Sequence, residues 1–151
     1  MVAVSTNLDG AWGSDAYLLR GDPRGLINDT QKYLATHKYV YMGMAGDQHW
    51  TVDPNWPASR ASNCTGDCHA RFLLAVEEGV MLGAEGWDEA YDKPLGNPLG
   101  PAVYTPATQA TPATLARSFS TGTKVIFTYD AKTRGGGTGE ISWASAERVS
   151  K

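Results

Sequence analysis

The sequence predicts an α/β fold: a three-strand parallel βαβαβ core followed by a small antiparallel β appendage. Three observations lead there. Short apolar runs over Val2–Ser5, Tyr39–Met44 and Val80–Gly83 are each followed by an acid beside a glycine, and these acids, Asp9, Asp47 and Glu85, are successively 38 residues apart. That interval is the length of one strand-plus-helix unit. Two segments with helical spacing lie between the runs, and a period of two takes over in the last third of the chain. Right-handed crossovers between parallel strands put the strand ends on one edge, where the three carboxylates are expected to converge.

Each element follows from its residues. Segment 1–10 reads as a buried, β-branched strand, and 11–25 as irregular chain punctuated by Gly13, Gly21 and Pro23. A helix is predicted over 26–37 from the spacing of Leu26, Ile27, Tyr33 and Leu34, with Asn28 or Asp29 in its first turn. The second strand closes at Asp47. Residues 48–62, holding Trp50, Asp53, Pro54, Trp56 and Pro57, are too rich in proline and tryptophan for a helix and form a long functional loop. A second helix over 67–79 presents Phe72, Leu73, Ala75 and Val76, with Gly79 as its C-cap. The third strand covers 80–84.

From Pro94 the composition changes. Residues 94–101 repeat Pro-Leu-Gly and predict an extended strap, and 105–114 (TPATQATPAT) are low-complexity surface chain. Strands follow at 115–119, 124–129 and 140–143, the last two joined by a glycine-rich hairpin connection over 130–139. The organisation is a core over 1–93, a strap and linker over 94–114, and an antiparallel region over 115–151 packed on the core.

The chain has 151 residues, 42% apolar and 19% charged, with a formal charge of −3. This is the balance of one globular domain. It argues against a nucleic-acid backbone as partner, and no run approaches the ~18 apolar residues that a membrane span requires. The N-terminal MVAVSTNLDG lacks the basic head and apolar stretch of a signal peptide, so the mature chain starts there or the sequence is an excised piece. Asn28-Asp29-Thr30 and Asn63-Cys64-Thr65 match the glycosylation sequon. With a local disulfide between Cys64 and Cys68 at a helix start, they favour an extracellular protein. His69 follows that pair, but the spacing is one residue longer than a haem attachment pattern, and further zinc ligands are missing. No metal and no cofactor are expected.

Residues 72–103, FLLAVEEGVMLGAEGWDEAYDKPLGNPLGPAV, resemble the closing helix, last barrel strand and exit strap of uncharacterised glycoside-hydrolase-like proteins with a (β/α)8 barrel. Arg117-Ser118-Phe119, KVIFTYD and GEISW resemble the aromatic strand and final hairpin that follow that strap. The resemblance covers about half of the chain, roughly residues 72–143. It implies that residues 1–90 are the last βα units of such a barrel, in part like a TIM barrel, and that the chain is the C-terminal portion of a longer protein.

Carboxylates at neighbouring strand ends suit glycosidic-bond hydrolysis, which needs two acids ~5–5.5 Å apart for retention or ~6.5–9.5 Å apart for inversion. Asp47 and Glu85 are the expected acid and base, with Asp9 as a third acid. Trp50, Trp56 and Trp87 are expected to stack on sugar, and His49 and Asp88 to make polar contacts with it. One of Glu77 and Glu78 is expected to be buried or paired with Arg71 or Arg60, in a structural role. One alternative is a non-catalytic carbohydrate- or partner-binding module that uses the tryptophans. Another is a catalytically silent, truncated barrel that self-associates through its exposed first strand.

Overall fold

The computed structural model describes residues 3–4, 10–13, 21–43, 66–83 and 88–145. Its elements are β1 (Ala3–Val4), β2 (Gly10–Gly13), α1 (Pro23–Leu34), β3 (Tyr39–Gly43), α2 (Asp67–Ala75) and β4 (Val80–Gly83), then β5 (Val103–Thr105), β6 (Thr114–Ser118), β7 (Lys124–Tyr129) and β8 (Gly137–Ser142). A 3-10 turn over Glu89–Asp92 follows β4. Two four-stranded sheets result, ordered β1-β2-β3-β4 and β5-β6-β7-β8.

The predicted fold class is not what forms. The expected parallel set of 1–10, 39–44 and 80–84 is absent, because β1 runs antiparallel to β2. Only five residues separate these two strands, whereas a parallel crossover takes a dozen or more. Parallel pairing starts one strand later, in a segment read as irregular: β2 pairs with β3, and β3 with β4. The first sheet is therefore mixed. The second is no small appendage but a full antiparallel sheet that supplies a large share of the core. Among the described residues, β1 is the outermost strand of its sheet.

Helix α1 begins three residues before the predicted start. Asp22 caps it by accepting the Arg24 amide at 3.0 Å, and Pro23 occupies the first turn, where its missing N–H costs nothing. Leu26 and Thr30 are buried beneath it, and the Thr30 hydroxyl donates to the Leu26 carbonyl. Helix α2 starts where predicted but ends at Ala75, and every residue from Cys68 to Ala75 is buried. A short helix closed in on all sides is the filling of a core rather than an amphipathic surface element. Gly79 does not cap it. At φ +86° it turns the chain into β4, and a Cβ there would stand 2.7 Å from the Lys38 carbonyl oxygen.

The second sheet turns Leu115, Arg117, Val125 and Phe127 inward against α2, with all four buried. Its register puts Thr105, Thr114, Thr128 and Thr138 in one row across all four strands on the opposite face. β-Branched hydroxyl residues favour strand geometry while leaving that face wettable. α2 approaches β8 closely because residue 139 is glycine. A Cβ there would lie 2.6 Å from the Ala70 Cβ.

Asp67 and Arg71 pin the same contact. The Arg71 Nε donates to Asp67 Oδ2 at 2.8 Å, its Nη1 donates to the Gly21 carbonyl, and its Nη2 donates to the Gly137 carbonyl at 3.2 Å. Asp67 Oδ1 accepts the Gly139 amide. Arg71 pairs with Asp67 and not with Glu77 or Glu78, Arg60 lies outside the described residues, and Glu77 Oε1 accepts from Arg117 Nη2 at 2.7 Å. The two partners are 40 residues apart in sequence, so only the fold brings them together.

Candidate functional site at the carboxyl edge of the parallel strands

Strands β3 and β4 are adjacent and in register from Val40↔Val80 to Gly43↔Gly83, so they end level with each other. Asp47 lies four residues past Gly43 in the chain, and Glu85 two past Gly83. Asp47, Glu85, Asp9, His49, Trp50, Trp56, Trp87 and Cys64 all lie outside the described residues. The direction of β1 bears on the expected third acid: an antiparallel strand ends at the opposite edge of the sheet, and Gly10, next after Asp9, opens β2 opposite Tyr39, the first residue of β3. The three parallel strands that share an edge are β2, β3 and β4, and Asp9 precedes the first of them in sequence instead of following it.

Helix α2 is oriented by its short exit. Four residues, Val76–Gly79, lead from it into β4, which holds its C-terminus at the amino edge of that strand. Nine helical residues rise roughly 13 Å, carrying the Asp67 end back toward the carboxyl edge. His69 sits in this first turn, 5% exposed. Its ring meets Tyr91 edge-on with centroids 5.2 Å apart, Trp143 at 5.6 Å and Phe72 at 6.5 Å. These neighbours come from the 3-10 turn, from the chain just beyond β8, and from α2 itself. Lys93 adds its ammonium 5.3 Å from the centre of the Trp143 ring.

Burial holds the His69 imidazole below its ordinary pKa, and the Asp88 carboxylate opposes that shift. The ring is therefore neutral near pH 7. Its Nδ1 is buried with no hydrogen-bond partner, and no other buried side-chain nitrogen or oxygen among the described residues shares that condition. Asp88, expected to contact sugar, caps the 3-10 turn by accepting the Ala90 amide at 2.8 Å. Cys68 is buried beside His69. Among the described residues no group of three His, Cys, Asp or Glu side chains is placed to hold a metal ion, and no helix is long and apolar enough to cross a membrane.

A cleft of about 670 Å³ opens at the other end of α2, between Val76, Glu77, Leu95, Pro98, Arg117 and Phe119. Its size suits a small ligand. Its one cation, however, is already engaged. Arg117 donates from Nε to the Gly100 carbonyl, from Nη1 to the carbonyls of Leu74 and Val76, and from Nη2 to Glu77. That guanidinium closes the end of α2 and ties the strap to β6, so it serves as wall material.

Sequence reasoning passed over His69 as a site residue because the Cys-Thr-Gly-Asp-Cys-His run reads first as a local disulfide at a helix start, with the histidine considered only toward a metal or haem. Tyr91 and Trp143 gave no signal, since their meeting with His69 depends on packing between distant segments. No protein-family model, curated protein or solved structure gives a significant match to the chain. The functional reading rests on its own residues and geometry.

Proposed function

We propose that the chain is a hydrolase of glycosidic bonds, or a portion of one, working at the carboxyl edge of β3 and β4 with Asp47 and Glu85 as its acid pair. The observation that carries this reading is the level ending of the two strands at Gly43 and Gly83. Neighbouring strands are ~4.8 Å apart, so carboxylates emerging from two such ends suit the separations that retaining and inverting mechanisms use. One acid protonates the glycosidic oxygen. The other attacks the anomeric carbon or activates water against it. Trp50, Trp56 and Trp87 follow the same strand ends in sequence and offer flat faces to pyranose rings, with His49 as a polar contact. Asp9 has no part in this pair. An extracellular setting, with Cys64 and Cys68 joined, belongs to the same reading.

The test replaces Asp47 by Asn and Glu85 by Gln and follows release of reducing sugar from a panel of polysaccharides. Loss of turnover in both variants, with binding retained, supports the pair. Turnover that survives both substitutions overturns it. A second reading, a carbohydrate-binding module without catalysis, is favoured by Asp88, the one expected sugar-contacting residue among those described, whose carboxylate serves as a backbone cap. In that case the unsubstituted chain binds glycans and releases no sugar.

A further inference from the structure

We infer that His69, Tyr91 and Trp143 form a sugar-ring subsite beside the acid pair, with Asp88 and Lys93 at its rim; this deepens the carbohydrate reading above and rests on it. Three independent features meet here. The first is place: the cluster gathers the first turn of α2, the segment that follows β4 and the exit of β8 at the edge where the reaction is proposed.

The second feature is surface. Tyr91 and Trp143 are half-buried, so part of each side chain packs in the cluster and part meets solvent. A half-buried aromatic offers the C–H face of a pyranose a flat apolar partner without losing its own support. Lys93 and Asp88 then border that face with a donor and an acceptor suited to hydroxyl groups.

The third feature is the unpartnered Nδ1 of His69. Buried polar atoms are nearly always paired, and one left unpaired costs about 1–3 kcal/mol. The rest of the interior respects this rule: Thr30, Thr123, Arg71 and Arg117 are all buried and all hydrogen-bonded. A phenylalanine would fill the His69 position without that cost. A neutral imidazole makes sense where a hydroxyl arrives to complete it. The chemistry selects an uncharged polyhydroxylated ring with an apolar face.

The experiment uses the intact chain and four probes: hexasaccharides of glucose, xylose, mannose and N-acetylglucosamine, titrated calorimetrically. At least one binds, and Trp143→Ala weakens it by about tenfold, the loss expected of one stacked aromatic. Nitrogen-detected NMR then shows the His69 Nδ1 resonance moving to a hydrogen-bonded position on addition of that sugar. Tyr91→Ala, in the exposed turn, gives a second loss of affinity if Trp143→Ala fails to fold. Absence of binding by all four probes, unchanged affinity in the folded aromatic variants, or an Nδ1 resonance that sugar does not move overturns the subsite. Asp47→Asn and Glu85→Gln separate the two proposals, since they abolish turnover while leaving sugar binding and the Nδ1 shift in place. Failure of the acid pair alone leaves the subsite standing as that of a binding module.

Discussion

Arg117 Nη2 lies 2.7 Å from Glu77 Oε1, and this pair joins β6 to the chain leaving α2. The two ends are unequal. The arginine side chain is 2% exposed and the glutamate side chain 41%, so the guanidinium depends on its partners far more than the carboxylate does.

Substituting the two residues separately exposes that asymmetry. Arg117→Met leaves the carbonyls of Leu74, Val76 and Gly100 without their donor and is expected to cost about 3–5 kcal/mol, the range for breaking a buried ionic network from one side. Glu77→Gln keeps a hydrogen-bond acceptor at a half-exposed position and costs within about 1 kcal/mol. Urea unfolding with unchanged m-values measures both. Equal losses would show that the ion pair itself, and not the carbonyl contacts, holds the strap.

The contact between Gly139 and Ala70 yields a rescue experiment. Gly139→Ala places a methyl group 2.6 Å from the Ala70 Cβ, and overpacking of this kind costs about 1–3 kcal/mol. Ala70→Gly alone destabilises α2 by roughly 1 kcal/mol through helix propensity. The double variant is expected to be more stable than the sum of the two losses implies, with a coupling of at least about 0.5 kcal/mol. Strict additivity would mean that α2 retreats from β8 to relieve the clash.

Where local pattern decides structure, the sequence was informative. Lys124–Tyr129 alternates apolar and polar residues and forms β7 over the predicted span. Asp67 opens α2 as expected, and β3 and β4 occupy Tyr39–Gly43 and Val80–Gly83 inside the predicted strands, whose predicted ends at Asp47 and Ala84 lie outside the described residues. β2 was hidden because two of its four residues are glycine, a composition that reads as loop until neighbouring strands supply the pairing. Asp22-Pro23 is a legible helix start, but it was read as punctuation. The direction of β1 was decided by a five-residue connection rather than by its apolar residues. Of the candidate site, Asp88 and Cys68 fall among the described residues, while the grouping of His69, Tyr91 and Trp143 came only from packing across segments.

Asp22 links the start of α1 to the second sheet. Its Oδ1 accepts both the Arg24 amide and the Tyr129 hydroxyl, the latter at 2.8 Å. Burial works against its ionisation, but the hydrogen bonds from Arg24 and Tyr129 outweigh burial and hold its pKa below 3.8. A depressed carboxylate stabilises the fold above its unfolded pKa and loses that contribution as pH falls through the lower folded value. Asp22→Ala is therefore expected to cost about 1–2 kcal/mol at pH 7 and progressively less below pH 3.8. Tyr129→Phe removes one hydrogen bond for about 1 kcal/mol. Thermal unfolding of the three proteins at pH 7 and pH 2.5 checks the sign, and a difference that widens in acid contradicts it.

His69 supplies the prediction that sets stability against function. Its folded pKa lies below 6.5, lowered by burial and partly restored by Asp88. Between those two values the unfolded chain binds more protons than the folded one. Stability is thus complete above about pH 6.5 and declines as pH falls toward the folded value. Among the described residues, the Asp88 carboxylate acts on His69, the Lys93 ammonium lies over Trp143, and Tyr91 adds a phenol. His69→Phe fills a similar volume, removes the unpaired nitrogen and removes the titration. It is expected to raise stability at pH 7.5 by about 1 kcal/mol and to flatten the decline between pH 6.5 and pH 5. A gain in stability with unaltered sugar affinity would make the histidine dispensable. A gain accompanied by lost affinity, the expected result, would show that the fold retains an unsatisfied imidazole at a cost because its ligand completes it.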